Sequence, residues 1–392
     1  MINEHFGDWV YKQGKGLFRV RSSSAQRWRW GYTTGTCAAA AAKAALEYLQ
    51  GGKNITHVEV ELPDGSELKV PVKEVKSEGH KVKTEVIKDA GDDLDITHGI
   101  SVWAEVKLNQ DSSEVKLFAG KGIGWVTKPG LSVPVGEPAI NPAPRRMIEE
   151  NLQKLLSPGQ GVEVTLEVPE GEALAGRTFN PRLGISGGIS LLGTTGRVRP
   201  MSREAYLEAL IPQIDQSLAL GYQEILFTPG GKGHRKAWGR GVPSERIVEV
   251  GNFFGEMLDA GTEKELSGVL LWGHLGKMIK LAGGIFNTHS RTADARKEIL
   301  AAHAAQAGAA QKTINSIMEL STLEASGAIL QEAGLESIYF ALAEEAAKRC
   351  VYRTDHLLRA GVVLYDLEGR ILGWNPEAEN MGERWGCPQL LK

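Results

Sequence analysis

Beyond Ser202 the chain alternates apolar runs that end in glycine with stretches of helical period, and few architectures tolerate that order. Arg203 to Leu220 has a helix pattern, and Glu224 to Thr228 reads as a strand closed by Pro229-Gly230-Gly231-Lys232-Gly233. Ile247 to Val250 is a second strand, followed by Gly251-Asn252 and a helix to Ala260. Val269 to Trp272 is a third, after which Gly273-His274-Leu275-Gly276-Lys277 opens a helix to Leu281. Strands joined by helices give a parallel sheet. Ligands there gather outside the carboxyl ends of the strands, so the turns at Gly193, Gly230, Gly251 and Gly273 are expected on one rim. Val362 to Asp366 and Arg370 to Trp374 form a terminal hairpin.

The stretch Asn180 to Ser202, NPRLGISGGISLLGTTGRVRPMS, is expected to open this region. Its apolar run Gly184 to Leu192 ends in Gly193-Thr194-Thr195-Gly196, with a helix pattern from about Met201. Strand, glycine turn and helix in that order would place a ligand pocket at the turn. The spacing is neither G-x-G-x-x-G nor that of a phosphate loop, so it names no ligand.

Upstream the period changes. Thr33, Thr34 or Thr36 can cap an alanine-rich helix over 37–50, whose free N–H groups would suit a carboxylate or phosphate. Cys37 at that end reads either as a nucleophile or, preferably, as a small packed residue. From Thr56 to Leu117 the sequence alternates, which gives a mostly antiparallel sheet. Asp89 to Asp95 packs carboxylates into one loop: a solvated acidic turn in preference to a divalent-metal loop, since the spacing is not that of an EF-hand, or a ligand lining at Asp89, Asp92 and Asp93. Pro138 to Arg146 reads as a rigid connector before a helix over Met147 to Leu156 and a strand over Val162 to Val168. The expected fold is an α+β N-terminal domain over 1–178, with an arm over 1–30, and an α/β C-terminal domain over 179–392 with a largely parallel, Rossmann-like sheet.

A length of 392 residues favours two domains. The net charge of -3 argues against a general nucleic-acid binder. No run is long and apolar enough for a membrane span. Cys37, Cys350 and Cys387 lack any C-x-x-C pairing, which suits a reducing cytoplasm and leaves no cysteine-built metal site.

GYTTGTCAAAAAKAA, GKGIGWVTKPGL, GEPAINPAPRRMI, GISGGISLLGTTGRVRPMS and GHLGKMIKLAGGIFNTHSRTADAR occur in this order and together resemble the CbiD family, the cobalt-precorrin-5B C-1 methyltransferases of the anaerobic cobalamin pathway. The resemblance covers roughly residues 28 to 380. It implies S-adenosylmethionine as methyl donor and a small-molecule corrinoid as acceptor, with cobalt present only as part of the substrate. A homo-oligomer and transient contacts with neighbouring pathway enzymes are compatible with it. So is a non-catalytic corrinoid carrier, and a nucleotide phosphotransferase is a third reading, disfavoured by the absence of a phosphate-loop lysine.

Under the family reading, Gly193, Thr194, Thr195, Gly196, Gly230, Gly231 and Asn252 are the expected donor site. Thr33, Thr34, Thr36, Lys121, Lys128, Arg145, Arg182, Arg197 and Lys277 are the expected clamps for macrocycle carboxylates. His289 is the candidate for proton exchange, with Asp294 orienting its ring. Alternatively, His289 caps a helix beginning near Ser290, and Asp294 pairs with Arg291 or Arg296.

Overall fold

The computed structural model describes residues 9–12, 16–19, 28–53, 55–110 and 112–392. The expected arm over 1–30 lies largely outside them, apart from an antiparallel pairing of Trp9–Lys12 with Gly16–Arg19. The chain forms two compact units, one ending at Arg203 and one beginning at Glu204.

In the first unit, strands β1 (Glu74–Glu78), β2 (Lys81–Ile87), β3 (Ser101–Asn109), β4 (Val115–Ala119) and β5 (Gly161–Glu167) form a sheet in the order β1-β2-β3-β5-β4. Every neighbouring pair is antiparallel except β5 with β4. Alternation decides which face is covered: Val102, Ala104 and Val106 of β3, and Val162, Val164 and Leu166 of β5, are buried. Helix α1 (Thr34–Leu49) packs on β2 and β3 and on helix α2 (Pro142–Gln153). Its run Ala38 to Ala42 is fully buried, because methyl side chains let the backbone lie close to two layers at once. Helix α2 starts before the expected Met147. Pro142 and Pro144 lie in its first turn, where no N–H is needed, so the expected connector is partly helical.

The Asn180 to Ser202 stretch belongs to this first unit, past the break expected at 178/179. Instead of one buried strand it makes two short ones, Ile185–Ser186 against Trp125–Val126 and Gly188–Ile189 against Gly122–Ile123. Arg197–Val198 then pairs with Gly31–Tyr32. Glycines at positive φ (Gly184, Gly187) interrupt the extended run, so pairing within the first unit outweighs the local strand–turn–helix pattern.

The second unit carries strands β6 (Glu224–Thr228), β7 (Ile247–Glu249), β8 (Gly268–His274), β9 (Arg359–Tyr365) and β10 (Ile371–Trp374), in the order β7-β6-β8-β9-β10. Only β9 with β10 is antiparallel. Helices α3 (Gly231–Trp238), α4 (Phe254–Glu263), α5 (Leu275–Ala282), α6 (Ile338–Arg353) and α7 (Pro376–Arg384) follow the strand ends or cover the sheet. The expected helix over Arg203 to Leu220 is two helices, Arg203–Leu210 and Pro212–Ala219, because Pro212 starts a new first turn. From β6 the chain moves outward to β7 and then returns across β6 to β8. The strand order therefore reverses between β6 and β8, and a crevice forms outside their carboxyl ends. Among the described residues no helix is long and apolar enough to cross a membrane.

Candidate functional site

The carboxyl edge of the second sheet gathers most of the polar groups singled out in the second half of the sequence. Strand β6 ends at Thr228, and Gly230 follows as the N-cap of α3. A Cβ on Gly230 would meet nothing within 4 Å, so this turn presents open backbone. Gly233, one turn on, has the opposite role: a Cβ there would lie 1.9 Å from Thr228 Oγ1, so α3 rests hard against β6.

Strand β7 ends at the buried Glu249, a residue that sequence reasoning did not select. Gln213 fixes its backbone in both directions: Glu249 N–H donates to Gln213 Oε1 at 3.1 Å, and Gln213 Nε2 donates to Glu249 O at 3.1 Å. His234 Nδ1 lies 3.5 Å from Glu249 Oε1, and His234 Nε2 lies 2.9 Å from Ser244 Oγ. A signal did exist, since an acidic residue at a strand end roughly twenty residues after a glycine turn is where doubly wound folds bind a ribose.

After β7 the chain turns at Asn252. Its Oδ1 accepts from Lys277 Nζ at 2.9 Å and from Thr288 Oγ1 at 3.2 Å, and its carbonyl accepts from Thr288 N–H at 3.0 Å. Two residues placed in separate expected groups, Asn252 and Lys277, thus meet directly. Lys280 is buried, and its ammonium donates to the carbonyl oxygens of Thr288 at 3.2 Å and Ala293 at 2.7 Å. Burial pushes the Lys277 ammonium below its ordinary range, and neighbouring Lys280 adds to this.

His289 follows Thr288, and of the two expected arrangements only one part forms, the pairing of Asp294 with Arg296. The next helix begins at Arg296, not near Ser290, so His289 caps no helix there. Asp294 does not orient the ring. Both of its oxygens are held by Arg296, Nε at 2.6 Å and Nη2 at 2.8 Å. His289 Nδ1 instead accepts from Arg291 N–H at 3.2 Å. A neutral ring with Nδ1 occupied as acceptor carries its proton on Nε2, so it donates rather than accepts there. Burial holds its pKa below the ordinary imidazole value, and Arg291, Lys277 and Lys280 act in the same direction. His274, at the end of β8, caps α5 by accepting Gly276 N–H at Nδ1, and its Nε2 lies 3.1 Å from Glu324.

The remaining expected site residues lie in the first unit. Thr33 caps α1. Thr34 Oγ1 donates to Leu192 O at 3.3 Å and accepts Leu192 N–H at 2.9 Å. Thr36 Oγ1 donates to Gly196 O at 2.6 Å. The N–H groups of Gly35 and Thr36 go to Leu192 O and Thr33 Oγ1. The expected anion site at the start of α1 is therefore filled by the chain itself.

Gly193 and Gly196 serve that closure, and neither offers an open turn. A Cβ on Gly193 would lie 2.3 Å from Thr33 Oγ1, and one on Gly196 would lie 2.7 Å from Leu62 Cδ2. Thr194 and Thr195 are exposed, and Thr195 Oγ1 binds its own turn through Arg197. Arg197 Nη2 reaches Ser66 Oγ at 3.3 Å, and Arg182 stacks over Phe179 at 5.8 Å. Lys121 and Arg182 are exposed, and Lys128 and Arg145 are half-buried. Cys37 is fully buried, and burial pushes its thiol up to about 12, which suits packing and not attack.

The acidic loop is a fastening. Asp89 holds the Arg29 guanidinium, Asp92 accepts Arg29 N–H, Asp93 accepts Met201 N–H, and Asp95 takes the buried Lys88 ammonium at 2.6 Å. Among the described residues, no group of three His, Cys, Asp or Glu side chains could hold a metal ion.

A family model described as CbiD matches residues 21–200, and one described as the CbiD C-terminal domain matches residues 287–376. The chain is 45% identical over 363 residues to a cobalt-precorrin-5B C(1)-methyltransferase of Moorella thermoacetica, covering 92% of this chain and 99% of that one. It is 46% identical over 352 residues to the protein of the same name from Methanocaldococcus jannaschii, covering 88% and 97%. A solved structure of a cobalamin biosynthesis protein (CbiD) from Archaeoglobus fulgidus is 29% identical, covers 74% of this chain and 88% of its own, and has a TM-score of 0.36. Matched over 92% of its length at 45% identity, the chain belongs to the CbiD family.

Proposed function

We propose that this chain transfers a methyl group from S-adenosylmethionine to C-1 of cobalt-precorrin-5B, giving cobalt-precorrin-6A in anaerobic cobalamin biosynthesis. The observation that carries the reading is the identity of 45% across 99% of a relative bearing that name. The donor's place is proposed in the second unit, at the crevice where strand order reverses, on a Rossmann-like reading of the β7-β6-β8-β9 sheet. Three features fit it there: open backbone at Gly230, where Gly231 begins α3, the Glu249 carboxylate at the end of the adjacent strand, and the Asn252–Lys277 pair.

When bound, the donor supplies an electrophilic methyl group. Its transfer to C-1 would leave S-adenosylhomocysteine as the neutral product of the broken sulfonium–methyl bond, with the corrinoid's proton passing to water. Methyl transfer needs near-linear alignment of leaving group, methyl and acceptor, so the work of the chain's own residues is positioning. Glu249 can accept from a ribose diol, and α3, fixed on β6 by Gly233, holds the Gly230 turn rigid. Neutral His289 donates through Nε2–H, so it is assigned to holding a ligand oxygen and not to accepting the proton. Lys121, Lys128, Arg145, Arg182 and Arg197 are proposed to meet macrocycle carboxylates. The scattered, buried thiols fit a reducing cytoplasm.

The test is calorimetry with S-adenosylhomocysteine, alongside conversion of cobalt-precorrin-5B followed by mass spectrometry. Saturable binding and gain of one methyl group are expected. A chain that binds the corrinoid but transfers no methyl group is a carrier instead.

A further inference from the structure

Lys277 and Lys280 lie on α5, Lys277 against Asn252 and Lys280 against Thr288, and the loop after α5 adds His289. The carboxylate on that loop, Asp294, is bound at both oxygens by Arg296, and Glu324 faces His274. Lys280 ends on two carbonyl oxygens and Lys277 on an amide oxygen, so uncharged groups solvate both ammoniums. A half-buried ammonium held by a neutral acceptor keeps its attraction for an anion, because the surrounding medium screens it poorly.

The position of the group is set by bonds that leave it little freedom. Thr288 is fastened to Asn252 through both its N–H and its hydroxyl, and Phe253 bridges to Asn287, so the loop bearing His289 is joined to the β7 turn. Asn287 Oδ1 accepts His289 N–H at 3.1 Å, and Arg291 N–H fills His289 Nδ1, which fixes the ring and leaves Nε2–H as its donor. Two donors, one charged and one neutral, are thus carried on one rigid edge of the crevice.

Resting on the donor-site reading above, we propose that Lys277 Nζ and His289 Nε2–H form a subsite for a ligand carboxylate, with Asn252 and Thr288 as its positioning residues. The chemistry has two sources in this reaction: the amino-acid carboxylate of the methyl donor, or a peripheral carboxylate of the macrocycle. Burial, with Lys280 adding to it, holds the Lys277 pKa below its ordinary range, and a carboxylate beside it would favour the charged ammonium.

The experiment uses the full chain carrying Lys277→Met. Calorimetry is run with S-adenosylhomocysteine and with 5′-methylthioadenosine, which lacks the amino-acid carboxylate, and KM is measured for the corrinoid. If the donor's carboxylate sits here, affinity for S-adenosylhomocysteine falls about ten-fold or more while that for methylthioadenosine holds, and Lys277→Arg recovers part of the loss. If the macrocycle's carboxylate sits here, both nucleoside affinities hold and the corrinoid KM rises about ten-fold. A folded Lys277→Met chain with all three quantities within about two-fold of wild type overturns the proposal. Should that variant fail to fold, His289→Gln is read by the same three measurements, and no change there overturns it equally. A wild-type chain that binds no S-adenosylhomocysteine refutes the donor reading itself, which separates the two failures.

Discussion

Two glycine turns that look alike in sequence are expected to respond oppositely to one added methyl group. Gly193 has φ +127, and a Cβ there would lie 2.3 to 2.4 Å from three atoms of Thr33, the N-cap of α1. Gly193→Ala therefore combines a backbone conformation costing about 1–3 kcal/mol for a non-glycine residue with overpacking of about 1–3 kcal/mol. Relief of one relieves part of the other, so a net loss of about 3 kcal/mol is the working value. For a unit of this size that corresponds to a melting shift of about 6–12 °C. Gly230 is extended at φ 167, with no atom within 4 Å of its Cβ position, so Gly230→Ala should melt as wild type does. Its methyl group occupies the ligand's side of the turn, and S-adenosylhomocysteine affinity should fall instead. Scanning calorimetry of both variants, with and without S-adenosylhomocysteine, reads both effects. Gly193→Ala melting within about 2 °C of wild type, or a destabilised Gly230→Ala, would refute the assignment of one turn to packing and the other to binding.

Two further outcomes follow from buried titratable groups. Burial depresses both His274 and His289, so the unfolded chain binds more protons than the folded one as pH drops below about 6.5. Their stabilising contribution is full above that pH and is lost as pH falls through the folded-state values. Urea midpoints measured from about pH 8 to about pH 5 should decline, less steeply in His289→Gln, and an unchanged slope would show that this ring does not titrate with folding. Cys37 and Cys350 are buried and their thiols are pushed up to about 12, so native protein should resist alkylation at both until denaturant is added. Prompt native labelling of Cys37 would restore the nucleophile reading.

The parallel strands β6, β7 and β8 were legible because each is short, apolar and followed by glycine, and these are local signals, whereas β9 was read only as part of the terminal hairpin. Their order in the sheet was not legible, since nothing local records that β6 lies between β7 and β8. Glu249 escaped notice for a related reason: in Ile-Val-Glu-Val an acidic residue reads as solvent-facing, and its burial depends on His234 and Gln213 from elsewhere in the chain. The threonines before α1 were recognised as donors and acceptors, but their partners at Leu192 and Gly196 lie 158 and 160 residues away. Asp294 failed for the opposite reason. Orienting His289 required the two residues on adjacent turns, whereas the segment between them is not helical and Arg296, two residues off and the alternative partner, captures the carboxylate.

The bonds from Thr34 and Thr36 to Leu192 and Gly196 also order events in time. The alanine helix emerges early from a ribosome, yet the groups that close its first turn emerge 160 residues later. At about 5–20 residues per second that interval is roughly 8–30 s. During it, the start of α1 exists without the loop that covers it, so the first unit reaches its finished form near the end of its own synthesis. A nascent chain is thus obliged to keep an aliphatic, small-residue helix from wrong partners until its distant lid arrives.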